Sequence, residues 1–255
     1  MRNKITILGC GSSLGSPWIT GYIGCNKKNI KNIRSRCSAH IKYKNLSILI
    51  DTSPDIKIQM QQNKIKDINA VLYTHAHADQ TSGIFELRPF FWKNKQKIPI
   101  YGSKKTIGSL KQTNTFCFKD TKGYPAILKS NVIKNSFKIK KNNNTILFKS
   151  FEADHGQIKS TVYVFNKVAY LSDCNFVDKK YYKYLENLNI LIIDCLKKTK
   201  HPSHFNFDEA VYLSKILKPK RTILTNLHTT LDYDKLKNEL PRNILPAYDG
   251  LSLNF

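Results

Sequence analysis

Four apolar runs in this 255-residue chain each stop at a histidine or an aspartate, and no other feature restricts its fold so much. Residues 70–74 run straight into His75, His77 and Asp79. Residues 145–151 lead to Asp154 and His155, residues 168–172 to Asp173, and residues 222–225 to Asn226 and His228. Short apolar runs bounded by polar residues read as strands. If the strands end at one edge of a sheet sandwich, their terminal side chains meet without a helix having to carry them. His75 and His77 share a face while the chain stays extended, because alternate residues of a strand point the same way. Asp79 then falls where a helix begins. Imidazoles and carboxylates are the ligands a divalent transition metal favours. The chain has seven histidines, and four of them belong to this set. Any one of these residues taken singly is an ordinary turn or capping residue; together they point to a metal centre.

The rest of the chain alternates strands with helices. A strand is expected at 4–9, then a Gly-, Asn- and Lys-rich loop over 10–37 that lies on the surface or over a pocket. Strands follow at 39–43 and 46–51. Ser53-Pro54-Asp55 reads as an N-cap with proline at the first helical position, opening a helix to Gln62. Residues 79–92 are predicted helical. Residues 98–139 show a short strand, a helix near 103–115 and turns. Strands are expected at 145–151, 161–165, 168–172, 190–194 and 222–225, with helices at 206–217 and 232–240 and last strands at 244–247 and 251–255. Strands at both ends with helices between them fit an α/β or α+β sandwich. With no internal repeat or long linker, 1–255 reads as a single domain, large enough to bury a substantial core.

Lys and Arg number 42 against 18 Asp and Glu, a net charge of +24. The lysines are spread along the whole chain, so they decorate a solvated surface and favour an anionic substrate, with nucleic acid the less favoured partner. No stretch approaches the roughly 18 apolar residues of a membrane span. The first residues lack the long apolar region and small-residue cleavage site of a secretory signal. A cytoplasmic location is expected, and six cysteines without a CxxC pair are expected to stay reduced.

His75-x-His77-x-Asp79, His155, Asp173 and His228 resemble, in order, the signature of the metallo-β-lactamase-fold hydrolases. The likeness runs nearly end to end: Leu8-Gly9-Cys10-Gly11-Ser12-Ser13 resembles the first strand and loop, and Pro246-Ala247-Tyr248-Asp249-Gly250 the closing segment. Asn32-Ile33-Arg34-Ser35-Arg36-Cys37-Ser38, Phe85-Glu86-Leu87-Arg88-Pro89 and His201-Pro202-Ser203-His204-Phe205-Asn206 are similar to the branch containing phosphoribosyl 1,2-cyclic phosphate phosphodiesterase. The resemblance implies a four-layer αββα sandwich of two mixed β-sheets flanked by helices. It also implies two divalent metal ions, zinc first, with manganese or iron as alternatives. The first would be held by His75, His77 and His155 with Asp173 bridging, the second by Asp79, Asp173 and His228.

In most relatives the motif continues to a further histidine, and here that place is Gln80, whose amide is a weaker ligand for zinc. Occupancy of the second site is therefore open. The resemblance makes Asp79 the residue that orients the nucleophile and His204 the proton donor and a substrate contact. Arg88, with Arg34 and Arg36, is expected to grip phosphate. The activity implied is a metal-dependent phosphodiesterase acting on a small cyclic phosphate or nucleotide-like diester through metal-activated hydroxide. An RNA-processing nuclease of the same superfamily and a weakened metal- or ligand-binding protein are the alternatives, and a homodimer is admitted.

Overall fold

The computed structural model describes residues 3–255. The first half of the chain lays down β1 (Lys4–Gly9), β2 (Ser38–Tyr43), β3 (Leu46–Ile50), β4 (Ala70–Leu72), β5 (Ile98–Gly102) and β6 (Leu128–Val132). The second half adds β7 (Ser136–Lys141), β8 (Asn144–His155), β9 (Ile158–Phe165), β10 (Val168–Leu171), β11 (Ile190–Asp194), β12 (Arg221–Thr225), β13 (Ile244–Pro246) and β14 (Ser252–Asn254). These pair into two seven-stranded sheets, in the orders β14-β1-β2-β3-β4-β5-β6 and β13-β12-β11-β10-β9-β8-β7. Both are mixed: β3 to β6 run parallel, as do β10 to β13, and the remaining pairs are antiparallel.

The alternation of side chains along each strand decides the layering. Ala70 and Leu72 of β4 face the other sheet and join a core with Ile48, Ile50, Tyr163, Tyr170 and Ile192. Val71, between them, points outward to Ile56 and Met60 of α1 (Ile56–Gln62). On the far side, Leu191 and Ile193 of β11 pack outward on α6 (Phe207–Leu217) through Ala210 and Leu213. Four layers result, helix–sheet–sheet–helix, as the sequence resemblance implied. A pleat buried on both faces is what near-continuous apolar parallel strands demand. Among the described residues, no helix is long and apolar enough to cross a membrane.

Two local expectations are corrected. The helix expected over 79–92 is broken into α2 (Ala78–Thr81), a 3-10 turn at Ser82–Leu87 and α3 (Arg88–Asn94). The cause is a tertiary contact. Gly83 donates its N–H to the Thr52 carbonyl at 2.9 Å, and a Cβ there would lie 2.1 Å from the Ser53 carbonyl oxygen. Backbone bonds that would continue the helix are exchanged for bonds to the end of β3. β6 and β7 also appear where only turns were expected. Both are sheet-edge strands interrupted by polar residues, and such edges are commonly protected by lysine. The predicted helices near 103–115, 206–217 and 232–240 are present as α4 (Lys104–Thr113) with a short α5 (Thr115–Phe118), α6, and α7 (Tyr233–Glu239). Asn206 caps α6 through a complete capping box with Glu209.

His40 is buried on β2, its Nε2 2.7 Å from the Ser47 hydroxyl, which itself donates to the Asp67 carbonyl. Burial, with Lys42 and Lys4 nearby, pushes its imidazole down to about 3. The unfolded chain therefore binds a proton that the folded chain refuses, so this stability is present above pH 6.5 and is lost as pH falls from there towards 3. Between pH 7.5 and 5 the loss from this residue should be about 2 kcal/mol. Urea denaturation at the two pH values should show wild type losing more stability than His40→Gln by that margin. Equal losses would show that His40 is not the group responsible.

Candidate metal centre

Three imidazoles converge at the carboxyl ends of β4 and β8. One nitrogen from each of His75, His77 and His155 lies within 4.8 Å of the other two, and the rings meet edge-on at centroid distances of 4.6, 5.0 and 5.1 Å. Neighbouring groups fix which nitrogen His75 and His155 turn inward. Thr74 donates its backbone N–H and its hydroxyl to the Asp51 carboxylate, both at 2.8 Å. With its proton committed there, the Thr74 oxygen can only accept from His75 Nδ1, 3.0 Å away. His75 is thereby held with its proton on Nδ1, and its Nε2 is buried without a partner. His155 donates Nδ1–H to the Ser203 carbonyl at 2.6 Å, leaving Nε2 as a lone pair 3.3 Å from His77 Nδ1. Two anchored lone pairs, on His75 Nε2 and His155 Nε2, thus stand beside the ring of His77. Anchoring the outer nitrogen of a ligating histidine in this way is the usual support of a metal site. The residues fit a divalent cation.

Asp173 lies next to this cluster and is fully enclosed by donors. Its Oδ2 accepts from Ser172 Oγ at 2.5 Å and Gln80 Nε2 at 3.1 Å, and its Oδ1 from Asn226 Nδ2 at 3.2 Å. Asp51, Asp173 and Asn226 each stand just past a strand end with φ of 60°, 54° and 62°. Asp and Asn enter this left-handed region more readily than most residues, which lets each strand turn sharply at its end. Asp79, in the first turn of α2, accepts from Gln80 Nε2 at 3.3 Å. Burial and the Asp173 charge push the Asp79 carboxyl up to about 6.

His204 lies beside both sets. One of its nitrogens, one of His155 and one carboxylate oxygen of Asp173 are mutually within 4.8 Å. His204 Nδ1 is held at 2.7 Å by Asp194, the last residue of β11, whose carboxylate also accepts the Cys174 N–H. Burial pulls the His204 imidazole down, but the charge and hydrogen bond of Asp194, with Asp173 and Asp79, outweigh it and raise the group to about 9.

Other expected site residues lie elsewhere. His228 is in neither cluster; its Nδ1 pairs with Thr230 Oγ1 at 2.9 Å and its ring packs edge-on against Trp18. The side chain that β12 sends to Asp173 is Asn226, two residues earlier. Arg34 is buried and donates to the carbonyls of Leu231, His228 and Lys31, and Arg36 pairs bidentately with Asp55. Both are committed to holding the 10–37 loop, which leaves neither free to grip phosphate. Arg88 sits 5.4–5.8 Å from the ring centroids of Phe85, Tyr124 and Trp92, and lines a cavity of about 310 Å³ with Phe85, Phe116 and Tyr124. The cavity that opens on His75 and His77 is a different one, about 830 Å³, bordered by Lys104, Lys105 and Lys159. The sequence assigns no site role to those lysines or to Asp51, Asp194 and Asn226. Asp51 and Asp194 carried the same signal as Asp173, an acid at the end of an apolar run.

A family model described as a beta-lactamase superfamily domain matches residues 47–226. A crystal structure of a diphosphatase from the PhnP family is 30% identical with a TM-score of 0.90, covering 100% of this chain and 98% of that one. The chain belongs to the β-lactamase superfamily and within it stands on the PhnP branch. Zn(2+)-bound PqqB from Methylobacterium extorquens shares the fold at a TM-score of 0.78 and 16% identity, covering 99% of this chain and 100% of that one. So does the short form of human tRNase Z, at 0.70 and 19%, covering 98% of each chain. Among curated sequences, a protein named octanoyltransferase from Porphyromonas gingivalis (strain ATCC BAA-308 / W83) is 26% identical over 254 residues. That match takes in 97% of this chain and 51% of the relative, so the chain spans about half of that protein's length.

Proposed function

We propose that this chain is a metal-dependent phosphodiesterase that hydrolyses a small cyclic phosphate or nucleotide-like diester, with a zinc ion as the first expected metal. One observation carries the reading: one ring nitrogen from each of His75, His77 and His155 lies within 4.8 Å of the other two, and His75 Nε2 is buried without a partner. These three imidazoles, with Asp173 beside them, would hold the ion. When bound, such a cation supplies hydroxide near neutral pH and positive charge for phosphoryl oxygens. The chain's own groups do the rest. Asp79 orients the attacking water and accepts its proton in this reading. His204, with Nδ1 tied to Asp194, offers its other nitrogen to protonate the departing alcohol. Lys104 and Lys105 draw the anion into the cavity, a task that falls to them rather than to Arg88. The resemblance to a PhnP-family diphosphatase supports phosphoryl chemistry at such a site.

The test is hydrolysis of bis(p-nitrophenyl) phosphate, a five-membered cyclic phosphate diester and a dinucleoside diphosphate. Activity should vanish on chelation and return with zinc or manganese. Metal-loaded protein that cleaves none of the three would contradict the proposal. The net charge of +24 favours the nuclease reading as the rival. Cleavage of structured RNA with steep salt dependence, without turnover of the small diesters, would establish that rival instead.

A further inference from the structure

We infer that this centre holds one metal ion per chain, because the side-chain amides of Gln80 and Asn226 close the place of a second. The inference rests on the proposed role of His75, His77 and His155, and it departs from the two-ion expectation drawn from the sequence. A second cation would need Asp79 and Asp173. Gln80 Nε2 instead lies 3.3 Å from Asp79 Oδ2 and 3.1 Å from Asp173 Oδ2, a donor aimed at both carboxylates. Asn226 Nδ2 occupies the other oxygen of Asp173 and also reaches Asp194 Oδ1 at 3.3 Å. Both amides are buried, at 0% and 1% exposure, so water does not compete for these bonds. The hydrogen-bonded protons stand where a cation would otherwise balance the two carboxylates.

In the metal-free chain the alternative amide orientation is the poorer one. Gln80 Oε1 is buried without a partner. Turning the amide over would swap that one unpartnered atom for an oxygen facing the oxygens of Asp79 and Asp173. The nearest further imidazole, His204, is held through Nδ1 by Asp194 and groups with Asp173 and His155 rather than with Asp79. A zinc site is completed by imidazole, thiolate or carboxylate. His228 is turned to Thr230 and Trp18, and Asn226 holds the corresponding place at the end of β12.

The experiment is equilibrium dialysis of the intact chain against excess zinc, manganese or magnesium, with bound metal measured by mass spectrometry against protein concentration. About one equivalent of zinc is expected, and no second equivalent of any of the three ions. The double variant Gln80→His/Asn226→His, which supplies imidazoles at both amide positions, should rise to about two. Two equivalents in the unchanged chain would overturn the inference while leaving the three-imidazole site standing. No bound metal at all would overturn both. A folded double variant that still holds one would show that these amides are not what closes the second position.

Discussion

His155→Ala is expected to leave the chain unable to retain zinc and to reduce phosphodiester hydrolysis to background. His155 supplies one of three converging ring nitrogens, and its Nδ1–H bond to the Ser203 carbonyl fixes the ring that does so. Losing only an outer partner of a ligating histidine costs about 10–100-fold in metal affinity. Losing the ligand itself should exceed that range. Zinc affinity measured by competition with a chromophoric chelator should therefore fall by more than about 100-fold. Thermal unfolding of the metal-free proteins provides the control. His155 ends β8, one strand of a seven-stranded sheet, and does not belong to the hydrophobic clusters that hold the layers together. The metal-free variant should melt close to metal-free wild type. Unchanged zinc affinity would remove His155 from the proposed ligand set.

The second large effect is expected from His204→Ala, and it should look different. If His204 gives a proton to the leaving group, its loss should lower kcat by about 10²–10⁴-fold. The bound zinc should stay near one equivalent, because His75, His77 and His155 remain. A substrate with a good leaving group, such as p-nitrophenolate, needs little help from an acid and should suffer less than an alkyl diester. Asp194→Asn should reproduce part of the defect by loosening Nδ1, since Asp194 acts through His204 as a positioning residue. The competing outcome is concrete. His204 also groups with His155 and Asp173 within ligand distance of one another, so loss of zinc along with activity would make it a ligand.

Much of this site could be read in the sequence because one physical rule governs it. Apolar strands that point the same way deliver whatever follows them to a common edge, and His75, His77, His155 and Asp173 were found by that rule. Applied evenly, it would also have found Asp51 and Asp194. Asp173 differs from them in matching the family resemblance. The rule has limited resolution at the end of β12, where Asn226 and His228 are two residues apart. Asn226, with its φ of 62°, carries the strand end towards Asp173, while His228 lies against Trp18. Side-chain period alone does not distinguish them. The family resemblance favoured the histidine. Local sequence also could not foresee the break of the 79–92 helix, since Gly83 is pinned by Thr52 and Ser53 from a distant segment. The arginines failed for a related reason. Guanidinium groups near a phosphate motif look available until their partners are known, and Asp55 and the loop carbonyls had already taken Arg36 and Arg34.

The central claim is that three imidazoles converge to bind the ion on which hydrolysis depends. Anomalous diffraction from zinc-loaded crystals, recorded on either side of the zinc absorption edge, tests it directly. The account predicts one peak, bonded to His75 Nε2, His77 Nδ1 and His155 Nε2. A peak coordinated by other side chains, or the three rings turned so that those nitrogens no longer face one point, would contradict it.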